Sequence, residues 1–197
     1  MWRLRSIKSL LLSSVVFLFL STNLSNAQQF SLTKNRESKL IVYGTSNIHD
    51  WEVVAESFEG TLLLTSKEAG LLEKLTVQLL AEGLKSGKSG MDKNTYKALK
   101  TNTHKHITFK LKGVTEVVEK TAGIYTAKTT GDLTIAGVTN TIPLSITVQV
   151  KGNEVQLSGS KAVKMTDYGV EPPKALLGTI KTGDEVTIKF NVILYNQ

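Results

Sequence analysis

Apolar and polar residues alternate one by one along most of this chain, a pattern typical of β-strands with one buried face. The clearest example is the stretch 131–150, which reads GDLTIAGVTNTIPLSITVQV. Leu133 and Ile135 alternate with small or polar neighbours, and Ile142 begins a second alternating run. The intervening Gly137-Val-Thr-Asn140 predicts a hairpin loop. Because an isolated hairpin is only marginally stable, further strands are expected to share its apolar face.

The same alternation predicts strands along the rest of the chain. Residues 28–38 form only a short polar lead, and residues 165–181 predict a long connection that contains two adjacent prolines. The further predicted strands cover residues 39–43, 51–55, 58–65, 75–81, 107–111, 124–130, 155–164 and 186–194.

One short helix interrupts the strand pattern. Residues 83–90 are rich in Gly and Ser and predict a loop, whereas Met91–Lys100 contains good helix formers with one β-branched residue, Thr95. Ser89 and Asp92 have the spacing of a capping box, with Asp in place of the usual Glu. A helix of this length depends on packing against the rest of the protein.

These elements predict an all-β domain of about eight to ten strands with one short α-helix. No helical layer is predicted to cover a sheet, so the apolar faces of the strands must cover each other. A closed antiparallel barrel and a sandwich are the two solutions. An eight-stranded barrel is either filled by its own side chains or holds one small ligand.

The first 27 residues predict a secretory signal peptide. Three basic residues precede the apolar run Leu10–Leu20, and Ser25-Asn-Ala27 has the small-x-small pattern of a cleavage site. The apolar run is short for a bilayer span, which needs about 20 residues. We therefore expect cleavage after Ala27, a periplasmic or secreted location, and a single domain over residues 28–197.

Composition and charge narrow the classes of function. The chain has no cysteine, which excludes disulfide bonds, thiolate metal sites and a cysteine nucleophile. The formal net charge is +7, and residues 85–112 contain eight lysines with Asp92 as their only acid. Export argues against nucleic acid as a partner. This segment is a solvated face, a transient contact surface for an anionic membrane, or a site that pairs with a diphosphate at the mouth of a barrel. The candidates for headgroup contact on the predicted helix are Lys93, Lys97 and Lys100.

Nothing in the sequence indicates catalysis. The chain contains no G-x-S-x-G, H-E-x-x-H or Gly-rich phosphate motif, so we expect a protein that is not an enzyme. His49, His104 and His106 are the only imidazole groups, and the last two share one face of a predicted strand. A zinc site needs three or four ligands, and no pattern specifies the others. We therefore expect neither a metal nor a cofactor.

Several segments resemble one known family. Residues 131–139, GDLTIAGVT, resemble the signature of the YceI-like, polyisoprenoid-binding domain family. The resemblance spans essentially all of residues 28–197. Individually weaker matches to the layout of that family cover residues 51–60, 91–100, 107–109, 165–170 and 184–188.

The resemblance implies a closed, lipocalin-like antiparallel β-barrel with one helical excursion. It also implies an exported protein that holds a long isoprenoid, or another long-chain amphiphilic lipid, in the barrel interior for carriage or storage. The alternative is a rigid interaction scaffold without a ligand in its lumen, and a homodimer stays open. The residues expected to line the lumen are Trp51, Phe58, Val77, Leu79, Ile107, Phe109, Leu133, Ile135, Leu144, Ile146, Val148, Tyr168, Ile188 and Phe190.

Overall fold

The structure is a computed structural model that describes residues 27–32, 37–66 and 71–197. The expected signal peptide lies outside the described residues, apart from Ala27. Within the described ranges, no helix is both long and apolar enough to cross a bilayer. The elements are β1 (Gln28–Leu32), β2 (Lys39–Ser46), β3 (Trp51–Ala55), β4 (Phe58–Ser66), β5 (Leu71–Leu80), β6 (Leu84–Lys85), α1 (Ser89–Leu99), β7 (His106–Thr121), β8 (Ile124–Ile135), β9 (Val138–Lys151), β10 (Glu154–Lys164), β11 (Lys174–Ala175) and β12 (Ile180–Asn196).

Eight of these strands close into an antiparallel barrel. Their order is β1-β4-β5-β7-β8-β9-β10-β12, and β12 returns to β1 through the pairs Phe30↔Asn196 and Ser31↔Tyr195. Four of the eight neighbouring pairs are hairpins, namely β4–β5, β7–β8, β8–β9 and β9–β10. The predicted closed barrel with a short helical excursion is confirmed, and the sandwich is not formed.

The strand that closes the barrel is missed by the sequence analysis. β1 lies in the stretch expected to be a polar lead, because Phe30 and Leu32 are its only apolar residues. Both side chains are nonetheless buried, with exposed fractions of 0% and 2%. Two apolar positions are too few to reveal an alternation. The strand is held by its pairing with β4 and β12.

Three further strands extend one end of the barrel, which we call the helix end because α1 lies there. β2 pairs with the first half of β12, β3 pairs with β2, and β6 pairs with β3. β11 pairs with the start of β12, within the stretch expected to be an unbroken connection. β11 has only two residues, so it leaves no periodic signal.

Two apolar clusters fill the interior unequally. The cluster away from the helix is solid, and its central side chains Phe30, Leu62, Val148 and Leu194 have exposed fractions of 0%. The cluster at the helix end surrounds an open space. The barrel therefore combines both outcomes allowed for eight strands: one half is packed by its own side chains and the other is hollow.

Candidate functional site

A cavity of about 540 Å³ occupies the hollow half of the barrel. Pockets for small ligands typically have volumes of about 300–1,000 Å³, so this space is large enough for one. Its lining consists mainly of Leu, Val and Ile side chains and includes four aromatic residues, Trp51, Phe109, Tyr168 and Phe190. Such a lining favours an apolar guest.

Twelve of the fourteen residues expected to line the lumen border this cavity. Phe58 does not border it and instead packs, partly buried, against both apolar clusters. Val148 lies in the solid half with an exposed fraction of 0%. Contact of any of these residues with a ligand stays a prediction. The twelve are Trp51, Val77, Leu79, Ile107, Phe109, Leu133, Ile135, Leu144, Ile146, Tyr168, Ile188 and Phe190.

Helix α1 forms one wall of the cavity. Met91, Thr95 and Ala98 line the space and recur at the spacing of one helix face. The sequence pattern does not single these residues out, because a short helix with a weak apolar stripe gives no reason to assign it to a lumen. The lysines expected to contact headgroups do not line the cavity and are exposed: Lys93, Lys97 and Lys100.

The start of α1 is fixed by Asp92. Its carboxylate accepts hydrogen bonds from Ser86 Oγ at 2.6 Å and from the Ser86 backbone N–H at 2.8 Å. Those bonds, the hydroxyl first, hold the pKa of the Asp92 carboxyl below its ordinary value. The predicted capping box is therefore wrong: Ser89 provides no side-chain cap, and Asp92 bonds to the preceding loop.

Tyr96 holds the middle of α1 against the chain before it. Its hydroxyl lies 2.9 Å from the carbonyl oxygen of Glu82 and 3.1 Å from that of Leu84. It also accepts a hydrogen bond from Lys85 Nζ at 2.6 Å, which raises the pKa of the Lys85 ammonium group. One lysine of the basic segment thus serves to position the helix.

Three of the four aromatic rings of the cavity wall lie against glycines of neighbouring strands. A Cβ atom on any of these glycines would overlap the ring that covers it. Because the glycines have no side chain, the rings rest close to the backbone of the barrel wall and take less space from the lumen. The pairs are Trp51 against Gly44, Phe109 against Gly131, and Phe190 against Gly159.

The cavity reaches the surface at the helix end. The residues of its lining that are exposed lie on α1 and its approach, on the loop 46–50 and on the β11–β12 hairpin, and these segments form the mouth of the cavity. The mouth is more polar than the interior and includes two lysines. Its exposed lining residues are Ile48, His49, Lys88, Gly90, Asn94 and Lys174.

Tyr168 borders the cavity, and its hydroxyl group is buried. The side chain is 2% exposed, and its hydroxyl has no hydrogen-bond partner among the described residues. The amide of the neighbouring Asn140 donates instead to the carbonyl oxygen of Asp167 at 2.8 Å. Burial raises the pKa of the Tyr168 hydroxyl, and the nearby Asn140 amide opposes that effect.

The three histidines occupy different surroundings. His49 Nδ1 lies 2.7 Å from the carbonyl oxygen of Asp50, the His104 ring packs against Gly137, and His106 is exposed at the start of β7. Within residues 27–32, 37–66 and 71–197, no three His, Asp or Glu side chains gather in a group that could hold a metal ion.

Comparison with known protein families settles the class of this barrel. A family model described as the YceI-like domain matches residues 30–194. The chain belongs to the YceI-like domain family. The match runs from β1 to β12 and so includes the whole barrel, which confirms the resemblance carried by residues 131–139. Among curated proteins, none matches the chain significantly.

Several solved structures share the fold of this YceI-like domain. BcnA from Burkholderia cenocepacia is 19% identical, with a TM-score of 0.64 over 79% of this chain and 95% of BcnA. A polyisoprenoid binding domain from Saccharophagus degradans, implicated in plant cell wall breakdown, is 13% identical, with a TM-score of 0.67 over 85% of this chain and 98% of that domain. The Campylobacter jejuni YCEI protein is 18% identical, with a TM-score of 0.58 over 72% and 82%. At these identities the likeness concerns the fold alone.

Proposed function

We propose that this YceI-like domain binds a long-chain isoprenoid or a similar amphiphilic lipid in its cavity and serves as an exported carrier or store. The observation that carries the proposal is the apolar cavity of about 540 Å³ in a barrel that is otherwise densely packed. The Saccharophagus degradans structure, a polyisoprenoid binding domain with the same fold, supports the choice of ligand class.

The hydrophobic effect is sufficient to hold such a ligand. Burying about 400 Å² of hydrocarbon at about 25 cal/mol per Å² gives roughly 10 kcal/mol before any cost is subtracted. Association then costs on the order of 4–15 kcal/mol in lost freedom. The balance is therefore close, and the length of the apolar chain and the fit of its polar end decide the affinity.

The distribution of polar groups suggests an orientation for the ligand. The apolar tail would point toward the solid half of the barrel, and the polar end would lie toward the mouth, where Lys88 and Lys174 are available to an anionic group.

Binding without catalysis fits the polar groups of the wall. Ser46 and His49 both line the cavity, but Ser46 Oγ donates to the His49 backbone oxygen at 2.7 Å and not to its ring. His49 Nδ1 is directed to the Asp50 carbonyl oxygen. Activation of a serine needs a base in contact with its hydroxyl, and this pair has no such contact.

Export with cleavage after Ala27 is the second part of the proposal. It is supported by the signal-peptide pattern in the sequence. It is also supported by the position of β1, which begins at Gln28, the first residue after the expected cleavage site. The intact mass of exported protein should correspond to a chain starting at Gln28, and a mass that still includes residues 1–27 would refute the proposal.

The ligand is tested by organic extraction and mass spectrometry of protein purified from its native host. We expect an equimolar long-chain lipid in the parent protein. Ile107→Trp and Ile135→Trp place bulk in the cavity at half-buried positions and should reduce the lipid content. Val118→Trp, at an exposed position on β7, is the matched control and should leave it unchanged. Unchanged lipid content in folded lumen variants would favour the scaffold barrel without a ligand.

A further inference from the structure

The β11–β12 hairpin carries two exposed leucines at the mouth of the cavity. Leu176 is 72% exposed and Leu177 is fully exposed. A third apolar side chain, Ile48 on the loop 46–50, is 57% exposed. Singly exposed apolar residues are common on protein surfaces, but two consecutive leucines at the tip of a hairpin form a protruding apolar surface.

The backbone at this tip is strained. Leu176 and Leu177 both have left-handed conformations, with φ values of 47° and 56°. Turns normally place Gly, Asn or Asp at such positions, because the Cβ atom of other residues lies too close to the following carbonyl oxygen. Neither leucine compensates for this strain by burial in the protein. An unfavourable conformation that keeps apolar side chains in solvent indicates a role outside the folded chain.

The hairpin is fixed to the loop 46–50. The backbone N–H of Asn47 donates to the carbonyl oxygen of Lys181 at 3.1 Å, and the N–H of Lys181 donates to Asn47 Oδ1 at 2.8 Å. Asn47 Nδ2 also donates to the carbonyl oxygen of Thr179 at 2.9 Å. Asn47 therefore joins the segment carrying Ile48 to the segment carrying the leucines through two donated hydrogen bonds and one accepted hydrogen bond.

Two lysines flank the base of the tip. Lys174 and Lys181 are directly paired across the short β11–β12 ladder, and both are exposed. Like charges in directly opposite positions are unfavourable within a sheet. The Lys174 ammonium lies 3.6 Å from Glu171, whose side chain is itself largely exposed. An apolar tip above a pair of cations is the arrangement that suits a lipid surface, because long lysine side chains reach headgroups while the tip enters the acyl boundary.

We propose that the Leu176–Leu177 tip, together with Ile48, inserts into the interface of an anionic lipid bilayer. Pro173, Ala175 and Ile180 of the same hairpin line the cavity, so insertion brings the mouth of the cavity onto the membrane surface. The inference depends on the proposed function only to explain why the protein contacts a bilayer.

The test uses the absence of cysteine from the chain. Leu177→Cys labelled with an environment-sensitive fluorophore reports on the tip, and Leu71→Cys, an exposed leucine at the end of the barrel away from α1, is the matched control. With vesicles of phosphatidylcholine and phosphatidylglycerol, emission at position 177 should shift to the blue and increase several-fold. Emission at position 71 should not change. An unchanged signal at position 177 overturns the proposal.

Substitutions test the contributions of the leucine tip and of the two lysines separately. Leu176→Asn with Leu177→Gly suits the left-handed backbone, so the fold should be retained while vesicle affinity falls about ten-fold or more. Lys174→Gln and Lys181→Gln should each lower affinity for anionic vesicles roughly five-fold at low salt. Full vesicle binding by the folded leucine variant, or a signal at position 177 that follows protein concentration without vesicles, overturns the proposal, the latter in favour of self-association.

The same samples distinguish this inference from the proposed function. Lipid extracted from the parent protein reports on the cavity, whereas vesicle affinity reports on the hairpin. Vesicle binding by a parent protein that contains no lipid would refute the carrier and leave the membrane contact standing. Lipid in the cavity of a protein that does not bind vesicles would refute the membrane contact and leave the carrier standing.

Discussion

The ring of Phe109 on β7 lies against Gly131 on β8, where a Cβ atom would overlap it. The two residues are diagonal neighbours, since Leu111 is the residue paired directly with Gly131. Gly131 also opens the stretch GDLTIAGVT that matches the family signature. The contact gives that glycine a physical role: it leaves room for an aromatic ring at the wall of the lumen.

Gly131→Ala should therefore force the Phe109 ring toward the cavity. We expect the free energy of unfolding to fall by about 1–3 kcal/mol, as for other substitutions that overfill a packed site. Urea denaturation measures the loss, and the bound lipid should decrease with it. Gly90→Ala is the control, because a Cβ atom there meets no atom within 4 Å and the residue lies in α1. It should stabilise the protein by about 0.5–1 kcal/mol. Equal effects of the two substitutions would contradict this explanation.

Trp51 should report on occupancy of the cavity. It is the only tryptophan of residues 28–197, it lines the cavity, and its Nε1 donates to the carbonyl oxygen of Thr45 at 2.9 Å. Titration of lipid-free protein with a brominated long-chain lipid should quench its fluorescence in a saturable manner. A saturating concentration of the unbrominated lipid should restore the signal. Quenching that grows linearly, with no saturation, would indicate collisions in solution and contradict a lumenal site.

Tyr168→Phe should separate folding from ligand recognition. The substitution removes a buried hydroxyl without a partner, so the lipid-free protein should become more stable by about 1 kcal/mol. Affinity for a ligand in the cavity should not change, because the hydroxyl is sealed from the cavity space. Thermal unfolding and binding titrations give the two results. A loss of stability in the lipid-free protein would show that the hydroxyl is already paired.

The ionised carboxylate of Asp184 should stabilise the fold at neutral pH, and this contribution should be lost in acid. Its carboxylate accepts hydrogen bonds from Thr166 Oγ1 at 2.7 Å and from the Thr166 N–H at 2.9 Å, which hold its pKa below the ordinary value of 3.8. Because the folded-state pKa is the lower one, this stability is fully present above about 3.8 and is lost as the pH falls through the folded value. Asp184→Asn should therefore destabilise the protein more at neutral pH than at pH values below its pKa. Urea unfolding at the two pH values tests this, and an equal loss at both would contradict it.

Lys93, Lys97 and Lys100 are exposed on α1 and immediately after it, beside the cavity mouth. Changing all three to Gln should weaken binding to anionic vesicles at low salt, and the difference should largely disappear at about 0.1 M salt, where the Debye length is about 10 Å. Co-sedimentation measures the bound fraction. The matched control changes three exposed lysines that lie toward the far end of the barrel, Lys74, Lys120 and Lys151. Equal losses from the two triple variants would mean that only net charge matters.

The alternation of side chains predicted the barrel, because the period of two is a property of every strand and needs no knowledge of the partners. It could not separate Ile146 from Val148. Both point inward from β9, but Ile146 borders the cavity and Val148 lies in the packed half. That difference depends on which side chains of the other strands lie at the same height in the barrel. Whether an inward-pointing residue borders the cavity therefore depends on the tertiary structure and is not evident from the sequence of its own strand.

Sequence rules that consider only neighbouring residues failed where the structure offers a competing hydrogen-bond partner. Ser89 and Asp92 have the spacing of a cap, but the carboxylate bonds to Ser86 instead. Leu176 and Leu177 lie in a loop without periodicity, and their left-handed backbone contradicts the preference of the residue type. Sequence patterns locate regular strands well, and they do not reveal strained positions of this kind.

The closure of the barrel by β1 and β12 also has a kinetic consequence. The ladder joins Phe30 to Asn196, so its final contacts connect opposite ends of the folded region. Proteins dominated by such distant pairings fold slowly, within milliseconds to seconds for small β domains, because a long loop must be ordered before the contact forms. Until β12 reaches β1, the sheet is an open ribbon with two unpaired edges. These unpaired edges leave the chain prone to aggregation until the barrel closes.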